Sequence, residues 1–261
     1  MNRELFLLMK YQFYNVIRAR WLIAYAAAFF IFTHALLLFG SEPSKTIASL
    51  LSIILLMVPL ISVLYASIYW YNSEAFHSVL LTQPVRRSQV YLSSWLSVAS
   101  GLVGSYFLGT FSALALQWFF EPSVILVVLM GGLLSFIFVG LGLLISVLIQ
   151  DRMKGIGAAF LLWMYFAIFH DLIVFALAWT MKEYPIEVPS LALMILNPVD
   201  LTRVIVLLSL DFSAMMGYTG RILQSFLSGS FGKVISFLAL FFWIVLPAVF
   251  GVRVFSKKDL K

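Results

Sequence analysis

Residues 21–39, 46–69, 91–119 and 124–149 contain no Asp, Glu, Lys or Arg. Two further blocks, 156–179 and 234–255, carry one charged residue each, Asp171 and Arg253. A helix rises 1.5 Å per residue, so about 20 apolar residues cross a hydrocarbon core of about 30 Å. In lipid every backbone N–H and C=O must be satisfied inside its own segment or around a closed barrel. The alternating apolar and polar pattern of a membrane barrel is absent. The blocks therefore predict an all-α, polytopic integral membrane protein with six transmembrane helices. Composition agrees: 63% of the residues are hydrophobic and 11% charged, whereas a water-exposed surface alone is about 25–35% charged.

The connections between blocks are short, except for residues 70–90 and 180–233. Gly40–Lys45 and Glu121-Pro122-Ser123 read as turns, and Asp151-Arg152-Met153-Lys154-Gly155 as a tight charged connection. Residues 4–19 place Leu5, Leu8, Met9, Phe13, Val16 and Ile17 at helical spacing, with Arg3, Lys10, Asn15 and Arg18 mostly on other faces. That pattern predicts an amphipathic helix within 1–20, lying along the membrane surface. The first 20 residues carry Arg3, Glu4, Lys10, Arg18 and Arg20, which argues against a secretory signal peptide. No repeat or low-complexity tract divides the chain, and 1–261 reads as a single membrane domain.

Net charge is +6, and its placement explains it. With the N-terminus inside, the cytoplasmic side holds Arg3, Lys10, Arg18, Arg20, Arg86, Arg87, Arg152, Lys154, Arg253, Lys257, Lys258 and Lys261, most of the 17 basic residues. Lys45, Lys182, Arg203, Arg221 and Lys233 fall outside. This bias predicts both termini in the cytoplasm and makes nucleic-acid binding an unnecessary explanation. Residues 191–210 compete as a seventh span. They would bury Asn197, Pro198, Asp200 and Arg203 at mid-membrane, at a cost of roughly 2.5–3.5 kcal/mol per central charge. Short helices re-entering the outer leaflet before the last span are the better expectation, with 211–233 as an external loop.

Chemistry-bearing motifs are few. Without cysteine there are no disulfides, thiolate metal sites or cysteine nucleophiles. Gly229-Ser230-Phe231-Gly232-Lys233-Val234 is the nearest approach to a phosphate loop, but Leu227 and Val234 stand where a Walker motif needs Gly and Ser or Thr. ATP-driven work would need a separate subunit. A bound haem or metal would need two of His34, His77 and His170 together. An intramembrane haem or metal protein built on His170-Asp171 stays open as the alternative. A carboxylate inside a span normally faces a partner, a bundle interior or a water-filled path, so Asp171 is either a pathway residue or a structural carboxylate paired with His170 or a backbone group.

Three patterns point to contacts. Ser93, Ser97, Gly101, Ser105, Gly109 and Ala113 form a four-spaced ladder of small residues suited to close helix packing. Asn197-Pro198-Val199-Asp200-Leu201-Thr202-Arg203 reads as a helix start, with Asn197 as N-cap, Pro198 at N1, and Asp200 able to pair with Arg203 three residues on. Within 70–90, residues 74–81 form a short amphipathic helix stopped before Pro84, a shape suited to docking on another protein.

This layout resembles the type-2 ABC exporter permeases. In that family a cytoplasmic connection after the second span carries a Glu, then leucines, Leu-Pro and a basic residue. Glu74, Leu80-Leu81, Pro84 and Arg86-Arg87 match in order, while Ala75-Phe76 stands where the family has Gly-Thr. More narrowly, Phe169-His170-Asp171-Leu172 and residues 197–203 resemble the NosY-type permeases of nitrous oxide reductase maturation. The broad resemblance implies a homodimer in the bacterial inner membrane. Its coupling surface would comprise Glu74, Leu80, Leu81, Pro84, Arg86 and Arg87 with Asp151, Arg152 and Lys154. That surface would meet a cytoplasmic P-loop ATPase that binds the ATP and Mg, and this chain itself would hold no cofactor. The narrow one implies a periplasmic β-helical partner, a copper chaperone and a role in copper-site assembly. His170, Asp171, Asn197, Pro198, Asp200 and Arg203 would then form the pathway or outer gate.

Overall fold

The computed structural model describes residues 3–40, 42–180, 193–209 and 230–257, and all regular structure among them is helical. A surface helix α1 (Arg3–Ile17) precedes α2 (Arg20–Phe39) and α3 (Pro43–Asn72). The short α4 (Glu74–Leu81) leads to α5 (Arg87–Leu116) and α6 (Pro122–Leu148). α7 (Arg152–Met164) continues through a π-helical turn (Tyr165–Phe169) into α8 (His170–Thr180). α9 (Pro198–Ser209) and α10 (Ser230–Lys257) complete the order. Among the described residues, six helices are long and apolar enough to cross a membrane: α2, α3, α5, α6, α7 running into α8, and α10.

The boundaries differ from the sequence reading for local reasons. Pro43 and Pro122 open α3 and α6 instead of sitting in turns, since proline lacks only an N–H that a first helical turn leaves unpaired. Asp151 caps α7 by accepting from the Lys154 N–H at 2.8 Å, so Arg152 and Lys154 form its first turn, not a free loop. Trp70–Asn72 belong to α3 and Arg87–Val90 to α5, which shortens the 70–90 connection at both ends. Residues 230–233, expected in an external loop, begin α10; 181–192 and 210–229 lie outside the described residues. At 12 residues α9 is about 18 Å long, short of a full crossing.

α6 is the axis of the bundle. Its most apolar window is 72% buried, against 17% for the α7–α8 span and 22% for α2. α3, α5, α7, α9 and α10 all pack on it. A helix apolar on every side belongs in such a position. Helix association in lipid depends on close packing, and Gly142 provides it: a Cβ there would overlap the Val63 region of α3. Ser67 Oγ donates to the Gly142 carbonyl at 3.2 Å across the same contact. Pro59 lies inside α3 and cannot donate to the Leu55 carbonyl; at the neighbouring residue Trp163 Nε1 of α7 donates to Leu56 O at 3.1 Å, tying α7 to α3.

α1 is not simply laid on the lipid. Its Val16 is buried against Gly101 of α5, and Ser97 Oγ donates to Met9 O at 3.0 Å. Tyr11, Tyr14 and Ile17 stay exposed. The apolar stripe of α1 is therefore split between α5 and the surroundings.

Candidate functional site

The fifth span takes part in a cluster of polar and charged side chains that runs from the interior to the rim. A π-turn closes bonds five residues apart, and here the His170 N–H bonds to Tyr165 O. An α-helix would have committed that N–H to Phe166 O. The Phe166 carbonyl is instead taken by Asn197 Nδ2 at 2.9 Å. Asn197 is also the N-cap of α9, its Oδ1 accepting from the Val199 N–H at 2.9 Å, with Pro198 in the first helical position. One asparagine thus starts α9 and ties it to the opened turn of the fifth span.

The capped helix then presents Asp200 to His170. His170 Nδ1 lies 2.7 Å from Asp200 Oδ2, and Asn197 Nδ2 donates to that same oxygen at 2.8 Å. Arg203, one turn on, donates to Asp171 Oδ2 at 3.0 Å and reaches Asp200 Oδ1 at 3.1 Å. The sequence placed Asp200 and Arg203 on one face, and they are paired there. It left His170 as the potential partner of Asp171; in the structure each reaches across to α9 instead. The cluster has an inner and an outer tier. His170, Asn197 and Asp200 are buried, whereas the Arg203 and Asp171 side chains are 36% and 43% exposed.

Burial raises the Asp200 carboxyl above its usual range; Arg203 pulls it back, Asp171 pushes it further up, and His170 lowers it. A carboxylate held between an imidazole and a guanidinium in this way is a cross-link whose strength depends on its protonation. Ligand atoms of His170, Asp171 and Asp200 also lie within 4.8 Å of one another, a metal-compatible spacing. The Arg203 guanidinium already supplies positive charge at both carboxylates, so a cation there would have to displace it. His170 Nε2 is buried without a hydrogen-bond partner.

At the opposite end of the fifth span stands the docking candidate. α4 is anchored by Leu80 and His77, whose ring lies 4.4 Å from Trp70 and whose Nε2 is 3.4 Å from Ser94 Oγ. Burial pushes the His77 pKa down to about 4. Glu74, Ser78 and Val79 face outward, Leu81 is partly buried, and Pro84 and Arg86 are exposed. The Gln89 side chain accepts from the Arg86 N–H at 3.2 Å, starting α5. Tyr71 Oη, just before α4, donates to Ile149 O at 2.7 Å and packs against Gly155. That brace sets α4 and the exposed Asp151, Arg152 and Lys154 at the same end of the bundle. Neither Tyr71 nor His77 stood out in the sequence as a brace, since an aromatic near a helix end has many uses. The π-turn had no sequence signal at all.

The small-residue ladder of α5 divides between two partners. Ser97 and Gly101 meet α1, and a Cβ at Gly109 would overlap the Ala26 carbonyl of α2. Ser105 lines a groove between α2 and α5.

Residues 77–260 match the family described as ABC-2 family transporter protein. The chain is also similar to a protein of Pseudomonas aeruginosa named "Probable ABC transporter permease protein NosY", 28% identical over 223 residues, which cover 77% of this chain and 80% of that one. The match begins at His77 inside α4 and runs through α10, taking in the end of α4 and the whole His170–Asp200 cluster, so this chain belongs to the ABC-2 family of transporter proteins as a non-catalytic membrane-spanning subunit.

Proposed function

We propose that the chain is the permease of an ABC transporter in the bacterial inner membrane, working as a homodimer with both termini in the cytoplasm. A separate P-loop ATPase binds ATP and Mg, and its closure is transmitted through α4 and the Asp151–Lys154 turn. The observation that carries this reading is family membership joined to one geometric fact: α4 is clamped on its inner side by His77 and Leu80 and free on its outer side at Glu74, Ser78 and Val79. A helix held in this way moves with the spans yet remains available to a partner. The finer part of the proposal places the cluster of His170, Asp171, Asn197, Asp200 and Arg203 at the outer gate. There it joins the fifth span to a short helix that re-enters the membrane. In this reading the gate works on behalf of copper-site maturation of nitrous oxide reductase, with a periplasmic β-helical protein and a copper chaperone as outer partners. The similarity to the NosY protein supports that assignment.

Purification in mild detergent tests both levels. A P-loop ATPase should accompany the chain, and Val79→Asp should abolish stimulation of its ATP hydrolysis while the permease still folds. Absence of any ATPase, or full stimulation by Val79→Asp, refutes the coupling role. An ATPase without a periplasmic repeat protein keeps the transporter and removes the nitrous oxide reductase assignment.

A further inference from the structure

We infer that the corner between α1 and α2 holds a glycerophospholipid, with its phosphate on Arg18 and Arg20 and one acyl chain lying along α3. A slot of about 480 Å³ opens there between the corner and the end of α3. It has a polar end at Asn15 and Asn72 and an apolar wall at Ile61, Leu64 and Ile68, with Trp21 at its edge. From residue 61 to residue 72 a helix rises about 16 Å, about half of the 30 Å hydrocarbon core and so the depth of one leaflet. The order of chemistry along the slot is thus that of a lipid, polar at the surface and apolar inward.

Charge selects the headgroup. Arg18 and Arg20 stand outside the slot's lining but flank Ala19 and Trp21, which line it, and both are exposed without an ion pair among the described residues. Trp21, 70% exposed, is of the type that settles at headgroup depth. Two guanidinium groups on long flexible side chains at the mouth of a slot whose polar end carries two side-chain amides suit a phosphodiester. Glu74, one residue beyond Ser73 at the polar end, opposes headgroups bearing several negative charges. The occupant is a singly charged phosphodiester lipid of the leaflet that α1 faces.

The test uses the purified full chain in detergent with three probes: phosphatidylglycerol, diacylglycerol with the same chains, and inorganic phosphate. Phosphatidylglycerol should raise the unfolding midpoint by roughly 2–4 °C, and neither fragment should move it. Arg18→Gln with Arg20→Gln should remove the shift, and so should Leu64→Trp, which fills the slot. Phosphatidylglycerol carrying a photoreactive acyl chain should label the peptide that contains residues 61–68. An equal shift from diacylglycerol, a shift from phosphate alone (an adventitious ion only) or labelling spread over all exposed spans overturns the proposal. So does protection of 61–68 by self-association, which would make a second copy the occupant. If the arginine variant does not fold, Leu64→Trp and the labelling pattern still decide.

Discussion

Arg203 faces two carboxylates in different surroundings, and the difference sets what each is worth. Its bond to Asp171 lies at a rim where both side chains are more than a third exposed, and such pairs are worth about 0–1 kcal/mol. Asp200 is buried, and removing its guanidinium leaves a charge that costs about 1–3 kcal/mol or more. Arg203→Ala should therefore lower thermal stability more than Asp171→Asn does, with the Asp171 change within about 1 kcal/mol of wild type; equal losses would mean that the rim pair dominates. His77 offers a pH test. Unfolded histidine takes up a proton below about pH 6.5, but buried His77 does so only near pH 4. The unfolded state binds more protons in that window, so docking of α4 weakens as pH falls from 6.5 towards 4 and is unchanged above 6.5. Hydrogen exchange of residues 74–81, corrected for intrinsic rate, should speed up at pH 5 relative to pH 7. His77→Gln should remove that acceleration.

Among the elements, the π-turn in the fifth span has the clearest consequence. It accommodates one extra residue while the helix on either side keeps its register, and it frees the Phe166 carbonyl for Asn197. Deleting Ala167 should restore a continuous α-helix and leave His170 facing Asp200. The expected loss is the Asn197 to Phe166 bond, about 1–3 kcal/mol if the amide is left unsatisfied. Inserting one alanine after Phe169 turns everything beyond it by about 100° and should take His170 and Asp171 away from α9. Melting curves and ATPase stimulation should rank the deletion well above the insertion; the reverse order would show that the turn matters for something other than the Asn197 bond. The same scale shows why Glu74–Leu81 was legible in advance. Its period, its polar start and the Pro84 stop are all contained within a dozen residues. The π-turn is not local in that sense, because its carbonyl is claimed by a residue 31 positions away.

At the scale of the whole molecule, α6 is the hub and the fifth span a peripheral arm, mostly exposed outside its contacts with α3, α6, α9 and, through Phe166 and Trp243, α10. In the proposed transport cycle, this arm carries movement from the α4 end to the α9 end. The orientation proposed for it makes a direct prediction: reporters fused before Met1 and after Lys261 should both read as cytoplasmic. Opposite readings would require an odd number of crossings. Large apolar side chains such as Phe39, Leu108, Phe175 and Phe241 are exposed on the outer helices, as expected where lipid, not water, is the solvent. That feature follows from composition alone.

The linear chain by itself determined that six blocks become helices in lipid, that residues 74–81 form a separate short helix, and that Asn197 starts another. These follow from hydropathy, period and capping, which act over a turn or a span and need no distant partner. Tertiary structure alone decided which partner each of two polar residues of the fifth span, His170 and Asp171, meets. His170 and Asp171 are neighbours in sequence, yet consecutive residues on a helix point about 100° apart and do not face each other. They instead meet Asp200 and Arg203, some 30 residues later. Only the packing of α9 across α6 and the π-turn brings those groups within hydrogen-bond distance.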